Sequence, residues 1–70
     1  DDSSSARHLA DALRSLVAAG VIPDQPVEPL ARLLSGAMNE AAVWLARSAD
    51  PGALAATEQA LDRLLAGVRG

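Results

Sequence analysis

Residues 29–69 read PLARLLSGAMNEAAVWLARSADPGALAATEQALDRLLAGVR, and this stretch decides the fold. It holds two amphipathic helical patterns separated by Asp50-Pro51-Gly52. Asp50 is predicted to be an N-cap, because its carboxylate can accept unpaired amide hydrogens of the following helix. Pro51 suits the first helical position, where no amide hydrogen is needed. A connection this short predicts that the last two helices form an antiparallel hairpin.

Both helices of this hairpin carry wide apolar stripes. The second helix is predicted over about residues 27–49, with a start that the sequence leaves open between Gln25 and Pro29. The third is predicted over about residues 51–68. At 100° per residue the stripe of the second helix covers roughly half its circumference. Each stripe is wider than one hairpin partner can cover, so we expect this hairpin to assemble with another chain.

A first helix is predicted over about residues 5–19, with its apolar residues on one side. Gly20 suits the left-handed position after the helix, and Val21 is expected to contact the last turn. Pro23 prevents the helix from continuing. Residues 1–4 are polar and expected to be frayed or disordered. The chain also lacks an initiator Met, so we expect this start to be the edge of a fragment or of a disordered loop, and residues 5–70 to form one helical domain.

The composition predicts an all-α fold. Half of the 70 residues are hydrophobic, and most of these are the strong helix formers Ala and Leu. The formal charge is −3, and all six cations are Arg with no basic cluster, so the chain by itself is a poor nucleic-acid binder. No uncharged apolar run is long enough to span a bilayer, so we expect no membrane partner.

The sequence offers no catalytic centre. It has no Cys, and its single His8 has no partner residue for metal binding or catalysis. We therefore expect no enzyme activity, no metal and no cofactor. An acyl carrier protein carries its cofactor on a Ser within an Asp-Ser-Leu motif at the start of a helix. The one Ser-Leu pair here, Ser15-Leu16, follows Arg14 inside a helix, so this class is excluded. Glu28 and Arg32 have the spacing of a stabilising surface pair.

Two other features remain open between a functional and a structural role. Asn39-Glu40 lies mid-helix beside the apolar stripe, where it could contact a ligand or partner, although a solvated helix face is the more common arrangement. Trp44 could anchor an interface or pack within the chain, and the sequence favours neither.

With these residues in view, residues 30–69 resemble the C-terminal end of a TetR-family transcriptional regulator. The resemblance rests on LARLLSGAMNEAAVWLARSADP, on Asp50-Pro51 opening the last helix, and on the ending LDRLLAGVR. The earlier segment LADALRSLVAAGVIPDQP is similar to the preceding helix and linker of that family. Gly36 and Asn39-Glu40-Ala41, at this distance from Asp50-Pro51, carry most of the weight.

The resemblance implies that residues 5–70 are part of a C-terminal regulatory and dimerisation domain, whose last two helices pair with those of a second copy in a four-helix bundle. It also implies a cytoplasmic homodimer that senses an unknown small-molecule effector. DNA binding, commonly for repression, is implied only through an N-terminal helix-turn-helix domain outside these residues. The expected dimer interface comprises Leu30, Leu34, Ala37, Met38, Ala41, Trp44, Leu45, Ser48, Leu54, Leu61, Leu64, Leu65 and Val68. The expected wall of an effector pocket comprises Leu9, Leu13, Leu16 and Glu40.

Two other classes of protein remain as alternatives. One is a free-standing helical module that binds a different protein. The other is an enzyme fragment, which needs a clustered acid–base pair that the sequence does not contain.

Overall fold

The computed structural model describes residues 2–70, with side chains from residue 4 onward. It contains three helices, α1 (Asp2–Ala18), α2 (Val27–Arg47) and α3 (Ala53–Arg69). No strand occurs within these described residues. The predicted all-α fold with three helices is therefore confirmed.

Helix α1 ends at Ala18, one residue before the predicted end, and the predicted glycine follows it. Gly20 has a φ of +74°, which glycine adopts without the steric penalty of a side chain. Its amide donates to Val17 O at 3.0 Å, and the Val21 amide donates to Leu16 O at 2.9 Å. These two bonds are the Schellman pattern. Val21 itself stays 66% exposed, so its expected apolar contact with the last turn is small.

The start of α1 differs from the predicted boundary. The structure assigns Asp2, Ser3 and Ser4 to the helix, three residues before the predicted start at residue 5. Asp1, which the sequence predicts to be frayed, lies outside the described residues.

Helix α2 starts at Val27, directly after Pro26 and within the range of 25–29 that the sequence left open. Pro26 has a φ of −74° and donates no amide hydrogen, so it fits the position before the first turn. Glu28 in the first turn and Arg47 in the last turn complement the helix dipole. The helix ends two residues earlier than predicted, because Ser48 is extended with a ψ of 136°.

The predicted cap of α3 is wrong. Asp50 does accept a backbone amide hydrogen, but the donor is Gly52 at 2.9 Å, within the turn that precedes the helix. The Ala53 amide donates to Asp50 O at 3.1 Å, which closes a four-residue turn with Pro51 at its second position. Gly52, not Asp50, precedes the first helical residue. Pro51 therefore lies in the turn that precedes α3 and not in the first turn of the helix, where it was predicted.

The core lies where α1 packs against the N-terminal half of α2. Its buried members come from both helices, from the linker and from the end of α3: Ala10, Leu13, Ile22, Ala31, Leu34 and Val68. Ala10 and Ala31 are 1% and 0% exposed, and their small side chains let the two helices approach closely. Leu9, Val17, Val27 and Leu30 pack around this cluster.

A chain of exposed ion pairs borders the core. Glu28 and Arg32 contact each other at 3.3 Å, which confirms the predicted pair. Arg14 of α1 also donates to Glu28 at 2.7 Å and to Asp11 at 3.0 Å. These side chains are 48–69% exposed, so each pair contributes about 0–1 kcal/mol. Of these pairs, only Arg14–Glu28 connects α1 to α2.

Leu13→Ala should lower the free energy of unfolding by about 2–5 kcal/mol, because it leaves a cavity in the core between α1 and α2. Leu33→Ala is the matched control, because Leu33 is 71% exposed and its loss should change this value by about 0.5 kcal/mol or less. Urea unfolding of both variants at one protein concentration measures the difference. Equal effects would mean that the core lies elsewhere.

Candidate dimer interface

Helix α3 runs back along α2 and is attached to the rest of the chain near both of its ends. Its first residue follows the turn at Asp50-Pro51-Gly52. Near its last turn, Val68 enters the core. The Gln25 side chain donates from Nε2 to Val68 O at 2.9 Å and to Pro23 O at 2.8 Å. The arrangement is the predicted antiparallel hairpin.

Between these two attachments α2 and α3 are separated by an apolar groove of about 260 Å³. Nine of its ten lining residues are apolar, and four of those are Ala. The lining comprises Leu34, Ala37, Met38, Ala41, Ala42, Leu45, Thr57, Ala60, Leu61 and Leu64. Thr57 is the polar member, and its hydroxyl donates to Ala53 O at 2.8 Å. The groove is wide because alanines stand where larger side chains would close it.

The chain exposes more surface than a compact monomer of its size. Its solvent-accessible area is 5028 Å², whereas a folded monomer of 7.1 kDa exposes about 4,100 Å². Its radius of gyration is 13.5 Å, against about 11 Å for a compact domain of this length. The excess of about 900 Å² is close to the roughly 800 Å² that each partner buries in a standard interface.

Most of the predicted interface residues remain accessible on α2 and α3. Met38, Trp44, Leu54 and Leu64 are 46–61% exposed. Ala37 is also exposed, and Leu30, Ala41, Leu45, Ser48, Leu61 and Leu65 are half-buried. These positions are available to a second chain.

Leu34 and Val68 are exceptions among the predicted interface residues. Each is 8% exposed and packs in the core of its own chain. The sequence could not separate them from the stripe, because a helical period shows which side is apolar but not which neighbour covers it. The proposed interface therefore omits Val68 and keeps Leu34, which also lines the groove.

The four residues of the predicted effector-pocket wall lie in different surroundings within this chain. Leu13 is 5% exposed and belongs to the core, and Leu9 packs beside it. Leu16 is 39% exposed, and Glu40 is exposed on α2. None of the four lines the groove between α2 and α3. Leu13 is removed from the candidate wall, because the core already surrounds its side chain.

The described residues contain no group of three or more acidic, His or Cys side chains arranged to hold a metal ion. His8 is exposed on α1. None of the three helices has both the length and the apolar character needed to cross a membrane, as far as the described residues go.

Three helices, two of them an antiparallel pair separated by an apolar groove, define an all-α domain with an exposed apolar face. The family model described as "Tetracyclin repressor-like, C-terminal domain" matches residues 1–68 of the chain. The chain therefore belongs to the family of TetR-like C-terminal domains, which are parts of transcription regulators. The resemblance seen in residues 30–69 is confirmed. Neither the curated proteins nor the solved structures include a significant match.

Sequence reasoning missed Gln25, Ala42 and Ala60. The Gln25 side chain donates a hydrogen bond from the linker to Val68 O, 43 residues away along the chain. A local sequence pattern does not predict a contact at that separation. Ala42 and Ala60 line the groove, but alanine is common on every face of a helix. The signal that was available is the excess of small residues in both helices.

Gln25→Ala should release the C-terminal end of α3, because Val68 O and Pro23 O each lose a donor. Hydrogen exchange in the last turn of α3 should accelerate, and the free energy of unfolding should fall by about 1–2 kcal/mol. Gln59→Ala is the control, since Gln59 is exposed on α3. Exchange rates that match those of the control would show that Gln25 does not hold α3.

Proposed function

We propose that this domain joins two copies of a transcription regulator through α2 and α3. The observation that carries the proposal is the surplus of apolar surface. The chain exposes about 900 Å² beyond a compact monomer of its mass. Much of its exposed apolar surface lies on the two helices that border the groove. Membership in the TetR-like family supports the same assignment.

A twofold dimer is the simplest assembly that covers this surface. In such a dimer the same patch of each copy meets itself, so one apolar face serves both partners. Ala37 and Ala41 on α2 and Ala60 on α3 are small, which allows the helices of the two copies to approach closely. Met38, Trp44, Leu61 and Leu64 then supply most of the buried area, and four helices form the resulting bundle.

The second part of the proposed function is to sense an unknown small molecule in the cytoplasm. Helix α1 would form one wall of an effector pocket completed by helices outside these 70 residues. Leu16 is its accessible apolar candidate, and Glu40 is a candidate polar contact. Since α1 packs directly on α2, a ligand that shifts α1 would also move one half of the interface.

DNA contact is proposed only for a helix-turn-helix domain outside these residues, and repression is its expected outcome. No residue of this chain is assigned to DNA, because the net charge is −3 and the six Arg are dispersed. No enzyme activity or cofactor is proposed. A free-standing module that binds a different protein is the alternative, and it uses the same apolar face.

Ala41→Glu should prevent dimerisation, because it places an unpaired carboxylate in the seam between the two copies. Ala46→Glu is the matched control, since Ala46 is exposed on the same helix and does not line the groove. Sedimentation equilibrium should give a monomer for the first variant and a dimer for the second. Circular dichroism should show that both remain helical.

A dimer that persists in Ala41→Glu would contradict the placement of the interface. A chain that is monomeric even without substitution would favour the alternative, a module that needs a different protein.

A further inference from the structure

The groove between α2 and α3 is a cavity that the chain itself leaves unfilled. An apolar cavity of about 150 Å³ is large enough to bind benzene, so about 260 Å³ can hold a two-ring side chain. We propose that Trp44 of the partner subunit fills this groove, and that the exchange is reciprocal in the dimer. This inference rests on the proposed function, because it requires the two copies to pair.

Trp44 lies beside its own groove rather than inside it. It is 52% exposed and is not among the residues that line the groove. It follows Ala37 by seven residues, so the two project from α2 within about 20° of each other. Ala37 lines the groove, and Trp44 therefore stands next to its border and points outward. An exposed aromatic beside an unfilled apolar site is the geometry of an exchanged anchor.

Twofold symmetry brings the two features together. When two α2 helices run antiparallel across an axis near Ala41, residue 44 of one copy faces residue 38 of the other, because both are three positions from the axis. Met38 lines the groove. Its thioether can then contact the indole ring, an interaction that aromatic side chains favour. The small side chain of Ala41 leaves room for the helices at the axis.

The groove also offers a partner to the indole N–H. Buried Trp side chains usually donate this hydrogen to an acceptor. Thr57 Oγ1 gives its own hydrogen to Ala53 O, so its lone pairs remain available to accept one. The other lining residues are apolar and match the faces of the ring.

The surface area favours a second copy over a small apolar ligand as the occupant. A ligand would fill the groove but would leave exposed most of the roughly 900 Å² by which the chain exceeds a compact monomer. A second copy fills the groove and covers this surface in one step. The buried area is then that of a standard interface.

Trp44 is the sole aromatic residue of the chain, so its fluorescence reports this contact without interference. Over a concentration series, the emission maximum should move to shorter wavelength as the dimer forms. Acrylamide quenching should fall in parallel with the fraction of dimer measured by sedimentation. A small apolar ligand would instead give a shift that depends on added ligand and not on protein concentration.

Ala60→Phe tests the receiving side, because a phenyl group on α3 fills the groove from within. The dissociation constant of the dimer should rise by about tenfold or more, as for loss of an anchor residue, and Trp44 should stay accessible to acrylamide. Ala55→Phe is the matched control, because Ala55 is exposed on α3 and does not line the groove. It should leave both measurements unchanged.

Two results would overturn the inference, and they differ in whether the proposed dimer also fails. A dimer whose Trp44 stays fully accessible to acrylamide refutes the exchange but keeps the proposed dimer. A monomer at every concentration refutes both. A dimer with protected Trp44 that is weakened by Ala60→Phe and not by Ala55→Phe supports the inference.

Discussion

Close packing of α1 on the N-terminal half of α2 is the contact on which the other features of the structure depend. Ala10 and Ala31 are almost fully buried there, and Leu13 fills the space beside them. This contact buries one side of α2 near the start of the helix. Ile22 in the linker and Val68 at the end of α3 join the same cluster, so the placement of α3 follows from it.

In this arrangement the C-terminal half of α2 faces α3 across an apolar groove. Helix α3 is held at the turn and at its last residues, and the alanines between those points leave a groove. A chain of 70 residues buries only about 60% of the surface of its unfolded form, so it cannot cover three amphipathic helices completely. The uncovered apolar face is thus a direct result of small size combined with small side chains. Assembly with a second copy would cover this face, and it is the function proposed for this member of the TetR-like family.

The helices and their order could be predicted from the sequence, because Ala and Leu patterns with a helical period extend over whole turns. Gly20 was placed correctly, since a left-handed residue after a helix has few alternatives to glycine. The N-cap of α3 was predicted at Asp50, two residues before its actual position at Gly52. The error arose because an Asp carboxylate can accept an amide hydrogen either at the start of a helix or within a turn. Leu34, Leu13 and Val68 were recognised as apolar, and they were expected to face a second copy or an effector, whereas in this chain they pack in the core. Periodicity identifies a buried side, whereas the identity of what covers it depends on contacts between distant residues such as Gln25 and Val68.

The mass of the unmodified chain in solution tests most directly whether α2 and α3 form an interface. Sedimentation equilibrium over a range of protein concentrations distinguishes a species of 7.1 kDa from one of twice that mass. The exposed apolar area predicts a reversible transition to the doubled mass as concentration rises. A helical chain that keeps the monomer mass throughout would contradict the proposed dimer, because it would show that the open face of α2 and α3 is stable in water without a second copy.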